Sequence, residues 1–96
     1  MEIAVDLDRN CVRLDGKLIS LTPRMCEIMA MFEQYPGRVI HTDRMAVAIY
    51  GDKEMKGASS TIKVLIYNLR ERLKPHGFDI LCYLSRGYEL VERVKA

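Results

Sequence analysis

The sequence has no tryptophan, two phenylalanines and three cysteines in 96 residues. Cys11, Cys26 and Cys82 are odd in number, widely spaced and without a CxxC pair. That pattern argues against a disulfide framework or a zinc site and for a reducing, cytoplasmic setting. Each cysteine reads as a small core hydrophobe. No apolar run approaches the roughly 18 residues of a membrane span. The opening Met1-Glu2-Ile3-Ala4-Val5-Asp6 lacks the basic-then-apolar order of a signal peptide, so no membrane partner is expected. Also missing are a Gly-rich phosphate loop, an HExxH pair and a GxSxG nucleophile turn, and the two histidines, His41 and His76, stand apart. The expectation is no enzyme, no catalytic residue, no metal and no cofactor.

What is present is the composition of a folded domain, 49% hydrophobic and 29% charged, in a length that allows one domain, 1–96. The net charge of +2 hides an asymmetry. Residues 1–55 carry seven Lys/Arg against nine Asp/Glu, a net of −2, whereas residues 56–96 carry eight against four, a net of +4. One basic end on a nearly neutral chain suits a face turned toward a polyanion, or a solvated surface.

Residues 3–7, 11–14 and 17–20 read as short strands, with Asp15-Gly16 as a hairpin turn because glycine accepts the positive φ required there. A helix follows from Thr22, a cap, and Pro23, suited to the first helical position. Leu21 and Cys26 stand where a hydrophobic staple would be. Met25, Ile28, Met29 and Phe32 form one apolar stripe, and Pro36-Gly37 ends the helix near Tyr35. A second helix spans about 42–50 with Thr42 as the preferred cap, and Gly51 stops it. Residues 51–58 form a polar loop. The third helix runs over about 60–74, and strands at 79–84 and 88–91 flank Ser85-Arg86-Gly87. The fold class expected is therefore α+β: an N-terminal antiparallel sheet (1–20), a three-helix core (21–74) and a C-terminal hairpin (78–91). That order is the winged helix-turn-helix arrangement, in which the third helix enters a DNA major groove and the hairpin flanks it.

On the third helix Ile62, Ile66, Leu69 and Leu73 share one side at 100° per residue. The other side carries Val64, Tyr67, Asn68 and Glu71, flanked by Ser60, Lys63 and Lys74, with Arg70 and Arg72 near the edges of the apolar stripe. A polar centre with basic edges suits a major groove, where edges meet phosphates and the centre meets bases. Asn68 fits the N6 and N7 of adenine, or is a surface amide. Lys63 fits guanine or a phosphate, or is solvated. Tyr67 fits a thymine methyl or a phosphate, or packs on the sheet. Arg86 in the hairpin fits a minor groove or a phosphate, or is a turn arginine in water.

Leu21-Thr22-Pro23, Pro36-Gly37-Arg38-Val39-Ile40, Ile49-Tyr50-Gly51, Thr61-Ile62-Lys63-Val64 with Leu69-Arg70-Glu71-Arg72-Leu73, and Arg86-Gly87-Tyr88-Glu89-Leu90 together carry a resemblance. The chain resembles the OmpR/PhoB-type winged-helix DNA-binding domain, and its closing Arg-Gly-Tyr-x-Leu is most similar to CtrA-like and standalone phage or prophage regulators. The resemblance implies a sequence-specific, double-stranded DNA-binding transcriptional regulator. It implies base contacts at Lys63, Val64, Tyr67 and Asn68. It implies phosphate or minor-groove contacts at His41, Thr42, Arg44, Ser60, Arg70, Lys74 and Arg86, and at Leu65. It places the second helix's cap at His41 and implies a polymerase-contacting loop at Asp52, Lys53, Glu54, Met55 and Lys56. RNA polymerase and a homodimer on DNA are the further partners it suggests. No counterpart of the family's receiver domain is read in these residues, so none is expected to accept an aspartyl phosphate. The chain departs from the family pattern at Leu65, where histidine is frequent, at Tyr67-Asn68, where two basic residues are frequent, and at Leu84-Ser85. Those departures motivate the alternative: a winged-helix protein-interaction module that binds a polymerase or host regulator with weak DNA affinity.

Overall fold

The computed structural model describes residues 1–51 and 58–93. Three short strands open the chain, β1 (Ile3–Asp6), β2 (Cys11–Leu14) and β3 (Lys17–Ser20), paired antiparallel in that order. Asp15 (φ 47°) and Gly16 (φ 83°) are both left-handed, which is what a type I′ hairpin turn demands. In β2, Val12 and Leu14 are buried and Arg13 between them is exposed, the period-two pattern of a strand with one face on a core. β1 ends at Asp6, short of residue 7, because the Asp6 carboxylate accepts from the backbone N–H groups of Asp8 and Arg9, both at 3.1 Å, and so turns the chain.

Helix α1 (Pro23–Gln34) begins as expected. Thr22 Oγ1 accepts from the Met25 N–H at 3.4 Å, Pro23 opens the helix, and Leu21 and Cys26 are both buried around the cap. Met25, Ile28, Met29 and Phe32 are buried along the predicted stripe. The helix covers the free edge of the sheet: the Val5 N–H donates to Glu33 Oε2 at 2.9 Å, so an edge donor finds a partner. The Cys26 thiol donates to the Asp6 and Cys11 carbonyls at 3.5 and 3.7 Å. Burial pushes its pKa up, which makes it an inert core group. Cys82, by contrast, is exposed, contrary to the core reading, because its strand has left the core by that point.

Helix α2 (Thr42–Tyr50) is capped by His41, not Thr42. His41 holds the extended backbone of a cap (φ −65°, ψ 142°), and its Nδ1 accepts from the Asp43 N–H at 3.2 Å. Thr42 is already the first helical residue. Helix α3 (Ala58–Leu73) starts before residue 60 and stops before Lys74. Pro75 has no N–H to continue the ladder, and Lys74–His76 becomes a 3-10 turn closed by left-handed Gly77 (φ 91°).

The hairpin consists of β4 (Phe78–Tyr83) and β5 (Gly87–Glu92), in register from Phe78 opposite Glu92 to Tyr83 opposite Gly87. Phe78 and Ile80 are buried, but Leu81, Cys82 and Tyr83 are exposed. The hairpin therefore roots in the core and projects from it. Ile40, between α1 and α2, pairs with Tyr88 through N–H···O bonds of 2.8 and 3.0 Å in both directions, a crossing that no local sequence pattern announces. One hydrophobic cluster joins Val12 and Leu14 of the sheet, Phe32 of α1, Met45 of α2, Leu69 of α3 and Phe78 of the hairpin. Among the described residues no polar or charged residue is buried. The architecture is a winged helix.

Candidate nucleic-acid interface

Burying Ile62, Ile66, Leu69 and Leu73 fixes which side of α3 remains outside. Lys63, Val64, Tyr67 and Asn68 are all exposed there. Val64 is 59% and Tyr67 61% accessible, so Tyr67 does not pack on a sheet. Two large apolar surfaces at i and i+3 stand between a lysine and an amide, which offers both van der Waals contact and hydrogen bonds to base edges. Leu65 is half-buried and packs against the core, and its side chain has no polar group to offer a phosphate.

The cations divide by what they already hold. Arg70 Nε donates to Asp79 Oδ1 at 2.8 Å, an ion pair that ties α3 to β4. Arg72 Nη1 donates to the Ser20 carbonyl at 2.9 Å, and Lys17 Nζ to the His76 carbonyl at 2.9 Å. These groups stitch the N-terminal sheet and the hairpin to α3. Arg70, expected at a phosphate, is thus engaged within the fold, because the α3–β4 packing sets an aspartate beside it. Lys63 and Arg86 are exposed and make no side-chain ion pair or hydrogen bond among the described residues. Lys74 is half-buried in the 3-10 turn.

The pairing of Arg70 has a measurable consequence. Burial acts to raise the Asp79 carboxyl, but the Arg70 hydrogen bond, the Ile80 N–H and the charges of Arg70 and Lys74 outweigh it and hold the group below the ordinary carboxylate range. A depressed folded-state pKa contributes stability above the unfolded value of about 3.9 and loses it as pH falls through the folded value. Arg70→Ala is expected to cost about 1–2 kcal/mol at neutral pH, less than breaking a fully buried pair because Arg70 is partly screened by solvent. Urea melts of both proteins should show that gap narrowing as pH falls below the unfolded carboxylate value of about 3.9. A gap that stays constant throughout the acid titration rules out the pair as its source.

At the start of α2, His41 Nδ1 is taken up by Asp43, so Nε2 is the ring nitrogen left to meet a phosphate oxygen. Thr42 is half-buried at the first turn. Arg44 is exposed, with its guanidinium 5.5 Å from the Tyr35 ring centroid. Val39, His41, Leu84, Ser85 and Arg86 line one surface groove, so folding brings the hairpin tip beside the α2 cap. Tyr35, Arg38, Val39, Ile40, His41 and Arg44 line a second. Val39 lines both grooves and Arg38 one; their place after the Pro36-Gly37 turn does not by itself say that the hairpin returns there. Ser60 lies on the first turn of α3, and its side chain, like Asp52, Lys53, Glu54, Met55 and Lys56, falls outside what the structure describes.

No helix of the described residues is long and apolar enough to cross a membrane. No curated protein sequence matches the chain. Solved structures do. The AdeR response-regulator DNA-binding domain, solved in complex with an intercistronic region, superposes with a TM-score of 0.74 at 20% identity, covering 96% of this chain and 95% of that one. The DNA-binding domain of E. coli CadC gives 0.72 at 24% identity over 95% and 87% of the two chains. That of Bacillus subtilis CssR gives 0.73 at 16% over 94% and 100%. These likenesses establish a shared fold. The sequence itself matches the family described as "Transcriptional regulatory protein, C terminal" over residues 16–90. With three-quarters of its length in that match, the chain belongs to the transcriptional regulatory protein C-terminal family, the OmpR/PhoB-type DNA-binding domains.

Proposed function

We propose that the chain reads double-stranded DNA sequence through α3 and holds the duplex by phosphate contacts from the start of α2 and from the hairpin. The observation that carries this is the composition of the exposed α3 face. Lys63, Val64, Tyr67 and Asn68 are free of the fold, while Arg70 and Arg72 on the flanks are used by it. Lys63, Val64, Tyr67 and Asn68 are assigned to base edges. His41, Thr42, Arg44, Ser60, Lys74 and Arg86 are assigned to phosphates or the minor groove. RNA polymerase through residues 52–56, and a second copy on an adjacent half-site, complete the proposed partners. No catalytic role is proposed. The protein-interaction alternative draws on Leu65, Tyr67 and the modest net charge; Leu65 is partly buried against the core, which leaves exposed Tyr67 as its support on α3.

Selection of the purified chain on a random duplex library tests the assignment, with an enriched motif expected. Within that motif, Asn68→Ala should relax preference at one base position and cost about 1–3 kcal/mol on the selected site. An Asn68→Ala protein that ranks every single-base variant as the wild type does would remove Asn68 from the reading set.

A further inference from the structure

The geometry points to a second way of engaging DNA: the hairpin tip inserts Leu84 as an apolar wedge into the minor groove at a base-pair step. This rests on the DNA-binding reading above and assigns a residue that the reading leaves unused. Leu84 is 92% accessible, more than any other large hydrophobic residue among those described. A single exposed leucine is ordinary; what distinguishes this one is its mount.

The tip is tied at several points. The Arg86 N–H donates to the Tyr83 carbonyl at 2.9 Å, which closes the turn, and Ser85 holds a left-handed φ of 62°. One rung behind, Gly87 and Tyr88 are clamped against the Ile40 backbone. Tyr83 Oη donates to Glu89 Oε1 at 2.7 Å across the two strands. A turn backbone held by these bonds has little freedom left to lose on insertion, which leaves the side-chain rotamers as the main ordering cost.

Surroundings select the partner. Arg86 flanks Leu84 at the tip, uncommitted within the described fold, and the groove they share with His41 leads to the proposed phosphate site at α2. An arginine beside an apolar side chain matches minor-groove binders that place a cation in the negative potential of the groove and an apolar wedge between bases. Leu84 stands one residue past the Tyr83–Gly87 pair, which adds about 3.4 Å of reach before its own side chain, toward the floor of a groove about 7.5 Å deep. Insertion is easiest at flexible pyrimidine–purine steps. The selected sites should therefore carry TA or CA/TG where the hairpin lies.

The test uses the selected duplex with 2-aminopurine at the hairpin-facing step and a donor–acceptor dye pair on its ends. Wild-type protein should brighten the 2-aminopurine by unstacking it and shorten the end-to-end distance by a bend of at least about 20°. Leu84→Ala should abolish both signals and weaken binding by about tenfold, the loss of roughly 1.4 kcal/mol, while Leu84→Met, still apolar and long, should retain them. Circular dichroism should be unchanged by either substitution, since Leu84 makes no core contact. Tight binding with equal signals from wild type and Leu84→Ala overturns the wedge and leaves the DNA reading intact. Failure of the wild type to bind any duplex overturns both.

Discussion

Gly87→Ala should cost more than about 3 kcal/mol and lower the melting temperature by about 15 °C or more. The reason is a crossing of two backbones. A Cβ built on Gly87 overlaps the Ile40 carbonyl oxygen and falls 2.7 Å from its carbon and 2.8 Å from His41 Cα. Backbone cannot swing aside as a flexible side chain can. The φ of 143° adds a conformation that L-residues avoid. Relief of the clash requires breaking the reciprocal Ile40–Tyr88 hydrogen bonds, which detaches the hairpin and uncovers Tyr88, Leu90 and Ile40, all buried. A domain of this length has about 5–14 kcal/mol in total, so the loss is a large part of its margin. Gly16→Ala is the control. Gly16 also has a positive φ, 83°, but nothing lies within 4 Å of its added Cβ. It should cost only about 1–2 kcal/mol, the left-handed penalty alone. Thermal melts of the two variants side by side decide the matter. Equal melting temperatures mean that the Ile40 crossing contributes nothing beyond φ.

Affinity for the selected duplex should fall about 40-fold between 50 and 200 mM salt. Arg44, Lys74 and Arg86 are the three full charges assigned to phosphates or the minor groove, and three released counterions correspond to a log–log slope of about −2.7. Lys74→Ala and Arg86→Ala should each reduce that slope by about 1. Arg24→Ala should leave it alone, because Arg24 is occupied by Glu27, by the Ile49 carbonyl and by the Tyr50 ring. Titrations at four salt concentrations yield the slopes directly. A flat salt dependence would return the protein-interaction reading to the front. A normal slope that Lys74→Ala and Arg86→Ala leave unchanged would move the phosphate contacts away from the end of α3 and the hairpin.

The local signals were legible because their causes are local. Thr22-Pro23 starts a helix by satisfying or removing orphan N–H groups, and Asp15-Gly16 supplies the φ values of a tight turn. The apolar stripes at 25, 28, 29 and 32 and at 62, 66, 69 and 73 follow from helical period and were buried where expected. The errors lie where a neighbouring residue offers the same chemistry or where a distant one intervenes. Thr42 is the better cap by propensity, but the backbone turns helical there and leaves the capping position to His41. Cys82 has the composition of a core residue in a strand that has already left the core.

The sequence by itself determined the order of elements, the apolar side of each helix and hence the exposed face of α3. These depend on spacing along one segment. Only the tertiary structure decided which cations are spent within the fold and which remain for a ligand, since Arg70 meets Asp79 and Arg72 meets the Ser20 carbonyl across separate elements. It also decided why residue 87 is glycine. Arg86-Gly87 reads as part of a turn, yet the glycine is required by a strand segment forty-seven positions earlier in the chain, and a steric limit between two distant backbones leaves no periodic mark in the sequence of either.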